Sequence, residues 1–480
     1  MAPLTWRRPA PRAPWRAWTL WVLCLLLAGC GGLPTIVPDM AMSRRPVQVE
    51  GARGPLTPAQ SQAVLERLRS RGSPSDVLER HLAIEEALVG SPLVAGNRVQ
   101  LLQDGPATYE AMFGAIRGAR DHVNVEFYIL EDDEVGQRFR ELLLERLRAG
   151  VHVNLLYDSV GSLRTPKAFF EPLREAGALV LEFNPVNPLK VRRGWNVNQR
   201  DHRKLVVVDG RVAFLGGINI SSVYSSGSMP GSGSRGRAVR REQERQRDID
   251  ALPWRDTQVQ IEGPVVAEYQ RLFMQTWTDQ HGPALPARDY FPAQQPQGRE
   301  VVRAIGSSPG EPYSFIYATL ISALRSAETE VLITTAYFVP DPQLLETLQD
   351  AARRGVKVKI LLPSRSDSAF VLAAGRAYYQ ALLDAGVELW ERHEALLHAK
   401  TAVIDGVWST VGSTNLDWRS FLHNQELNAV VLGPAFGAQM RAVFERDLAS
   451  SRRIDPAEWA RRPLSARLKE QAARLWAWWL

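Results

Sequence analysis

The sequence predicts an α/β fold built from two α/β/α sandwich units with mixed sheets, related by an internal pseudo-twofold. Two observations carry this. Apolar strand-like runs alternate with amphipathic helical stretches, the pattern of a partly parallel sheet covered by helices on both faces. The alternation also occurs twice, as VNVEFYILEDDEVGQRFRELLLERLRAGVHVNLLY over 123–157 and VLITTAYFVPDPQLLETLQDAARRGVKVKILL over 331–362. Composition agrees with a globular chain: of 480 residues, 45% are hydrophobic and 23% charged, which excludes a mainly disordered or fibrous protein and leaves room for two to three domains.

Taken in chain order, residues 1–30 read as a leader. Arg7, Arg8, Arg12 and Arg16 precede an apolar run from Trp18 to Ala28, which is short for a membrane span of about 20 residues. The run ends Leu27-Ala28-Gly29-Cys30, similar to a bacterial lipobox, and this implies acylation of Cys30 and a membrane-associated protein of the cell envelope facing the periplasm. A short uncleaved anchor with an incidental cysteine is the other reading. Cys24 and Cys30 are the only cysteines, so a disulfide scaffold or a cysteine-built metal site is excluded. The formal charge of +6 falls to +2 without the leader arginines, so overall basicity says little about nucleic acid.

Residues 31–95 form an N-terminal arm, with helical periodicity over 55–90 and no strand partner. The first unit spans 96–281. In each repeat a helix follows the first strand, with apolar spacing at Phe139, Leu142, Leu143 and Leu147 or at Leu344, Leu345 and Leu348, and a glycine stop at Gly150 or Gly355. A further helix and strand follow each, over 167–183 and 368–390. A Gly/Ser-rich, then Arg-rich stretch at 225–248 reads as a mobile insertion, and the Pro/Gln/Ala-rich 282–299 as a linker. The second unit spans 300–450. The tail, 451–480, is basic and rich in tryptophan. Its Leu464, Leu468, Leu475 and Trp479 fall on one helix face, which fits an interfacial membrane helix or a helix docked on the protein core.

The chemistry lies late in each repeat. His202-Arg-Lys204 is followed by Asp209-Gly210, Gly216-Gly217 and Asn219; His398-Ala-Lys400 by Asp405-Gly406, Gly412-Ser413 and Asn415. Both fit H-x-K-x4-D-x6-G-(G/S)-x-N. With eight histidines and seven lysines in the chain, chance supplies roughly 0.1 His-x-Lys pairs. Residues two apart on a strand share a face, so each histidine and its lysine point together. The Asp-Gly pairs read as hairpin turns, and Asp209 and Asp405 as mainly structural groups orienting those turns. Asn219 and Asn415 have amides that can donate to a phosphate oxygen. Breaking a phosphodiester requires a nucleophile on one side of phosphorus and a proton donor for the leaving alkoxide on the other, which two imidazoles can supply, with the lysines neutralising charge in the transition state.

The duplicated motif resembles that of the phospholipase D superfamily, over roughly residues 96–450, and NQRDHRKLVVVDGRVAFLGGINI with PWRDTQVQIEG looks most like bacterial cardiolipin synthases. The resemblance implies two phospholipase D-like units with the active site between them, and a phosphatidyltransferase that joins two phosphatidylglycerols through a phosphohistidine. It suggests His202 as nucleophile and His398 as acid and base, with Lys204, Asp209, Lys400 and Asp405 completing the motifs and Asp256 and Glu426 holding the imidazoles. It implies no metal and no cofactor. The implied partners are an anionic phospholipid, phosphatidylglycerol above all, and a membrane, not nucleic acid; two motifs in one chain make a monomer sufficient. Lys190, Arg192, Arg193, Arg200, Arg203 and Lys204, with Trp195 among them, could receive anionic headgroups. A hydrolytic phospholipase D, a nucleic-acid phosphodiesterase and a lipid-anchored binding protein are the competing readings.

Overall fold

The computed structural model describes residues 47–71, 78, 80–186, 196, 198–227 and 252–477, and these belong to one compact unit. The leader with Cys30, the basic stretch Lys190–Trp195, most of the insertion, and Trp478 and Trp479 lie outside the described residues.

The first half supplies β1 (Leu93–Gln103), β2 (His122–Phe127), β3 (His152–Asp158), β4 (Leu179–Phe183), β5 (Lys204–Val208), β6 (Val212–Gly216) and β7 (Thr257–Glu262). They lie in the order β4-β3-β2-β5-β6-β7-β1, with β2, β3 and β4 parallel and the other neighbours antiparallel. The second half supplies β8 (Glu300–Ser307), β9 (Glu330–Thr334), β10 (Lys357–Pro363), β11 (Glu388–Arg392), β12 (Thr401–Ile404), β13 (Trp408–Gly412) and β14 (Asn424–Leu432). Their order, β11-β10-β9-β12-β13-β14-β8, and their senses are the same. The last strand of each order meets the other: β1 pairs antiparallel with β8, Val302 opposite Val94. The mixed α/β fold expected from the repeat is therefore what the chain adopts.

Helices fill both faces, and the strand faces beneath them are buried and mainly apolar, with β2 turning His122, Asn124 and Glu126 to its second face. Val123, Val125 and Phe127 of β2 pack under Phe139 and Leu143 of the helix Glu134–Arg148 and under Met112 and Ile116 of the helix Asp104–Arg117. On the opposite face, Leu205, Val207 and Leu215 pack with Tyr269, Phe273 and Trp277 of the helix Val266–Asp279, and the same cluster continues into Val302, Leu332, Phe436 and Met440. One core thus runs through both halves. Helix ends follow the local sequence: Asp133 and Asp341 cap the repeat helices through side-chain oxygens, and Gly150 and Gly355 end them at φ 84° and 93°.

The N-terminal region differs from the expectation of a helical arm without a strand partner. Its helices, Pro58–Arg71 and Arg80–Leu88, are present, but Val49–Gly51 pairs parallel to β1, Val49 opposite Leu93. A three-residue strand is too short to show a period. The helix Arg80–Leu88 is bound to the second half: His81 Nδ1 lies 3.0 Å from Ser322 Oγ, and Glu85 lies 3.3 Å from Arg303 with both side chains fully buried. The stretch after the first half is also pinned. Tyr290 packs on His122 at 4.6 Å, Gln294 donates to the Gly210 carbonyl, and the Gln297 N–H donates to Gly96.

Candidate active site

Both His-x-Lys motifs sit where a two-residue strand leads into β5 or β12. Arg200–Asp201 runs parallel to Asn424–Gln425 at the start of β14, and Leu396–Leu397 runs parallel to Trp254–Arg255 just before β7. These pairings stitch each motif to the other half. The His202 N–H donates to the Gln425 carbonyl at 2.9 Å, and the His398 N–H to the Arg255 carbonyl at 2.8 Å.

The next residue on each partner strand is a carboxylate. His202 Nδ1 lies 3.0 Å from Glu426 Oε1, and His398 Nδ1 lies 2.7 Å from Asp256 Oδ2. Each histidine is therefore held by the opposite half's acid. A carboxylate on Nδ1 places the ring proton there and leaves Nε2 with its lone pair for chemistry. Both carboxylates are fully buried, while His202 keeps 9% and His398 8% of its surface exposed, so the imidazoles form the accessible edge of a buried network.

Lys204 and Lys400 point to the same side as their histidines, and each ammonium donates to its own histidine's carbonyl. Lys204 also lies over the Tyr128 ring at 5.2 Å, and Tyr128 meets His202 edge-on at 5.0 Å. On the other side Trp254 lies 5.2 Å and Tyr224 5.9 Å from the His398 ring, and the Tyr224 hydroxyl is 3.4 Å from Nδ1. The residue between histidine and lysine points away, as strand alternation requires. Arg203 uses that direction to donate to the Glu426 carbonyl at 3.1 Å and to Thr276 at 2.6 Å.

Burial dominates the electrostatics. It lowers both lysines, Lys204 to about 7 and Lys400 to about 8, against the pull of Glu426 and Asp256. It holds His202 well below the ordinary imidazole range, with Lys204, Lys400 and His398 adding to the effect, and it lowers His398 with Asp256 opposing. The acids differ. Burial pushes Glu426 up to about 7. Burial pushes Asp256 up too, but the charge and hydrogen bond of His398, with Lys400 behind, outweigh it and hold the carboxyl below its usual range.

Asp209 and Asp405 are not beside the imidazoles. They occupy hairpin turns at φ 52° and 51°, each followed by a glycine at positive φ, in three-residue loops between the paired residues Val208 and Val212 and between Ile404 and Trp408. Asp209 accepts the N–H groups of Arg120, Asp121 and His122, and Asp405 those of Glu328, Thr329 and Glu330. They staple the turn to the start of β2 or β9. Asn219 is buried behind the site, its Oδ1 accepting from Ile129 and its amide donating to the Tyr224 hydroxyl at 3.1 Å; Asn415 is buried at the equivalent position.

Sequence reading missed Tyr128, Tyr224 and Trp254, whose aromatic edges wall the histidines. No spacing rule marks them, since each reaches the site from outside the repeated motif. It also missed the pair Glu126 and Asp201, buried behind His202, where burial raises both carboxyls and the charge of Glu126 raises Asp201 further.

A parallel-antiparallel sheet duplicated around two inward-facing His-x-Lys pairs, each bound to the other half's carboxylate, defines a phospholipase D-superfamily enzyme. A family profile described as "Cardiolipin synthase, PLD-like domain" matches residues 320–448. A cardiolipin synthase of Geobacillus thermodenitrificans is 33% identical over 387 residues, 80% of this chain and 72% of its own. The major cardiolipin synthase of Bacillus subtilis is 33% identical over 383 residues, 79% of this chain and 74% of its own, and cardiolipin synthase A of Pseudomonas putida is 36% identical over 391 residues, 80% and 75%. The crystal structure of a phosphatidylserine synthase from Haemophilus influenzae superposes with a TM-score of 0.58 at 14% identity, over 82% of this chain and 98% of that one, a likeness of fold. The chain belongs to the cardiolipin synthase family, and it is a phosphatidyltransferase enzyme of phospholipid biosynthesis.

The expected address is corrected. A periplasm-facing protein held on the envelope by an acylated Cys30 rested on a four-residue likeness. The relatives are named as cardiolipin synthases and not as lipoproteins, and among the described residues no helix is long and apolar enough to cross a membrane. That address is withdrawn.

Proposed function

We propose that this enzyme joins two phosphatidylglycerol molecules into cardiolipin and glycerol by way of a phosphatidyl group on His202. The observation that carries the reading is the crossed pair of dyads, His202 with Glu426 and His398 with Asp256, which engages both Nδ1 atoms and leaves each Nε2 for chemistry. In the first step Nε2 of His202 attacks phosphorus, the bond from phosphorus to the glycerol oxygen breaks, and the His398 imidazolium gives its proton to the departing alkoxide. In the second step a hydroxyl of another phosphatidylglycerol loses its proton to neutral His398, its oxygen bonds to phosphorus, and His202 leaves.

The division of labour follows the acids. Asp256, held in its ionised form, supports an imidazolium at His398, and the negative charge of an arriving phosphodiester strengthens that proton's hold. His202, kept neutral by burial and neighbouring cations, is suited to attack. Lys204 and Lys400 offset the extra negative charge of the transition state, with Asn219 and Asn415 supporting the loop beside them.

Purified enzyme given phosphatidylglycerol labelled in its phosphate should yield labelled cardiolipin with one glycerol released per product. Phosphatidic acid as the main product assigns hydrolysis instead. Rapid quenching should trap an acid-labile, base-stable label on the wild-type chain that is absent from His202→Ala and forms far more slowly in His398→Ala, which lacks the proton donor of the first step. Label retained by the His202→Ala chain refutes the assignment of the nucleophile.

A further inference from the structure

Four of the large apolar side chains left exposed, Leu464, Leu468, Leu475 and Trp476, lie in or just after the C-terminal helix. The C-terminal helix Leu464–Arg474 is docked through its inner side: Glu470 and Ala473 are buried, Glu470 pairs with Arg462 at 2.9 Å, and Arg474 lies over the Tyr378 ring at 4.9 Å. Its outer side carries Leu464, Leu468 and Leu475, exposed by 73%, 71% and 84%, with Trp476 beside them at 52%. Leucines at 464, 468 and 475 fall within one narrow stripe of a helix. Large exposed apolar groups in a continuous stripe mark an interaction surface.

Two further observations say what covers it. The first is charge. Between 452 and 477 the chain has seven basic residues and three acids, and Glu458 and Glu470 are taken up by Arg452 and Arg462. Arg461 and Lys469 remain exposed near the stripe, the layout of a helix lying in an interface with anionic headgroups. The second is continuity with the site. This helix packs on the helix Ala369–Arg376, whose first turn exposes Phe370. Just before that turn Asp367 accepts the Tyr337 hydroxyl at 2.6 Å and lies close enough to His398 and Lys400 for its charge to act on both. In the first half, Leu163 is 70% exposed next to Ser162, whose hydroxyl donates to the carbonyl of Tyr128, the residue whose ring lies against His202.

We propose that the outer face of the helix Leu464–Arg474, continued by Phe370 and Leu163 beside the histidines, is a docking surface for an anionic phospholipid bilayer. It rests on the phospholipid reading of the active site, which it extends by stating how a two-tailed substrate is met: the headgroup enters between the histidines while the apolar rim stays in the lipid.

The full chain carrying Cys24→Ser, Cys30→Ser and Leu468→Cys, with an environment-sensitive dye on the new thiol, reports insertion at this face alone. Phosphatidylglycerol vesicles should raise its emission by about twofold or more and phosphatidylcholine vesicles much less, while the same dye on Arg353→Cys stays unchanged. The triple variant Leu464→Ser, Leu468→Ser, Leu475→Ser should lose about tenfold or more in turnover of vesicle phosphatidylglycerol and keep its rate on the eight-carbon-chain lipid dissolved as monomers. A silent dye on vesicles that the enzyme turns over overturns the proposal. So does emission that rises with protein concentration alone, which assigns the face to a second copy, or an equal loss on both substrates. Wild-type enzyme that makes no cardiolipin from either the vesicle or the monomeric lipid, while the dye still responds, defeats the functional reading and leaves the docking surface standing.

Discussion

Position 217 in the first half and position 413 in the second are equivalent, yet one is glycine and the other serine. A Cβ at Gly217 would lie 2.1 Å from Asp256 Oδ1, whereas Ser413 donates its hydroxyl to Glu426. The glycine lets the shorter carboxylate reach His398, and the serine holds the longer one on His202. Gly217→Ala should displace Asp256 and lower kcat about 100-fold with an unchanged circular dichroism spectrum, since a shift of about 1 Å in a reacting group costs that much. The lysines give a pH prediction. Their charges are present below the lowered pKa values of about 7 and 8 and vanish as pH rises through that window. kcat/KM on a soluble lipid should therefore decline as pH rises above about 7. In kcat the decline should lie higher, because bound phosphate favours the charged lysines. Removing both members of one dyad, His202→Ala with Glu426→Gln, should cost scarcely more than His202→Ala alone, a non-additivity measurable from the three rates.

At the scale of elements, the hairpins carry a prediction that separates structure from chemistry. Asp209 and Asp405 each accept three backbone N–H groups about 16 Å along the strand from the lysines. Asp405→Ala should lower stability by about 3 kcal/mol, seen as a fall in Tm, while the folded fraction keeps its kcat. A large loss of kcat at full stability would return the aspartate to the chemistry. Much of this was legible from the chain. The repeated strand-helix-strand runs, the glycine stops and the Asp-Gly turns all depend on neighbours in sequence. What stayed hidden depends on partners far away. Nothing in RDHRK says that Arg203 reaches a carbonyl at position 426, and nothing in the two-residue runs Arg200–Asp201 and Leu396–Leu397 announces strands, because they exist only as pairings with the other half.

Over the whole molecule, the halves share one apolar cluster, the β1–β8 pairing and the Arg303–Glu85 pair that binds the N-terminal helix to the second half. Heating should therefore give a single calorimetric transition with equal calorimetric and van't Hoff enthalpies; two resolved peaks would show halves that melt apart. The His-x-Lys template located both histidines and lysines in the sequence. Which acid serves which histidine was not legible, because that depends on how β14 and β7 cross between the halves.

That crossing also bears on how such a gene can change. Damage to the codon for Asp256 strikes the imidazole encoded 142 positions downstream, and damage at Glu426 strikes the one encoded 224 positions upstream. Neither repeat can drift into a spare copy or be exchanged for a foreign one without silencing its twin, so the two must be inherited as a matched set.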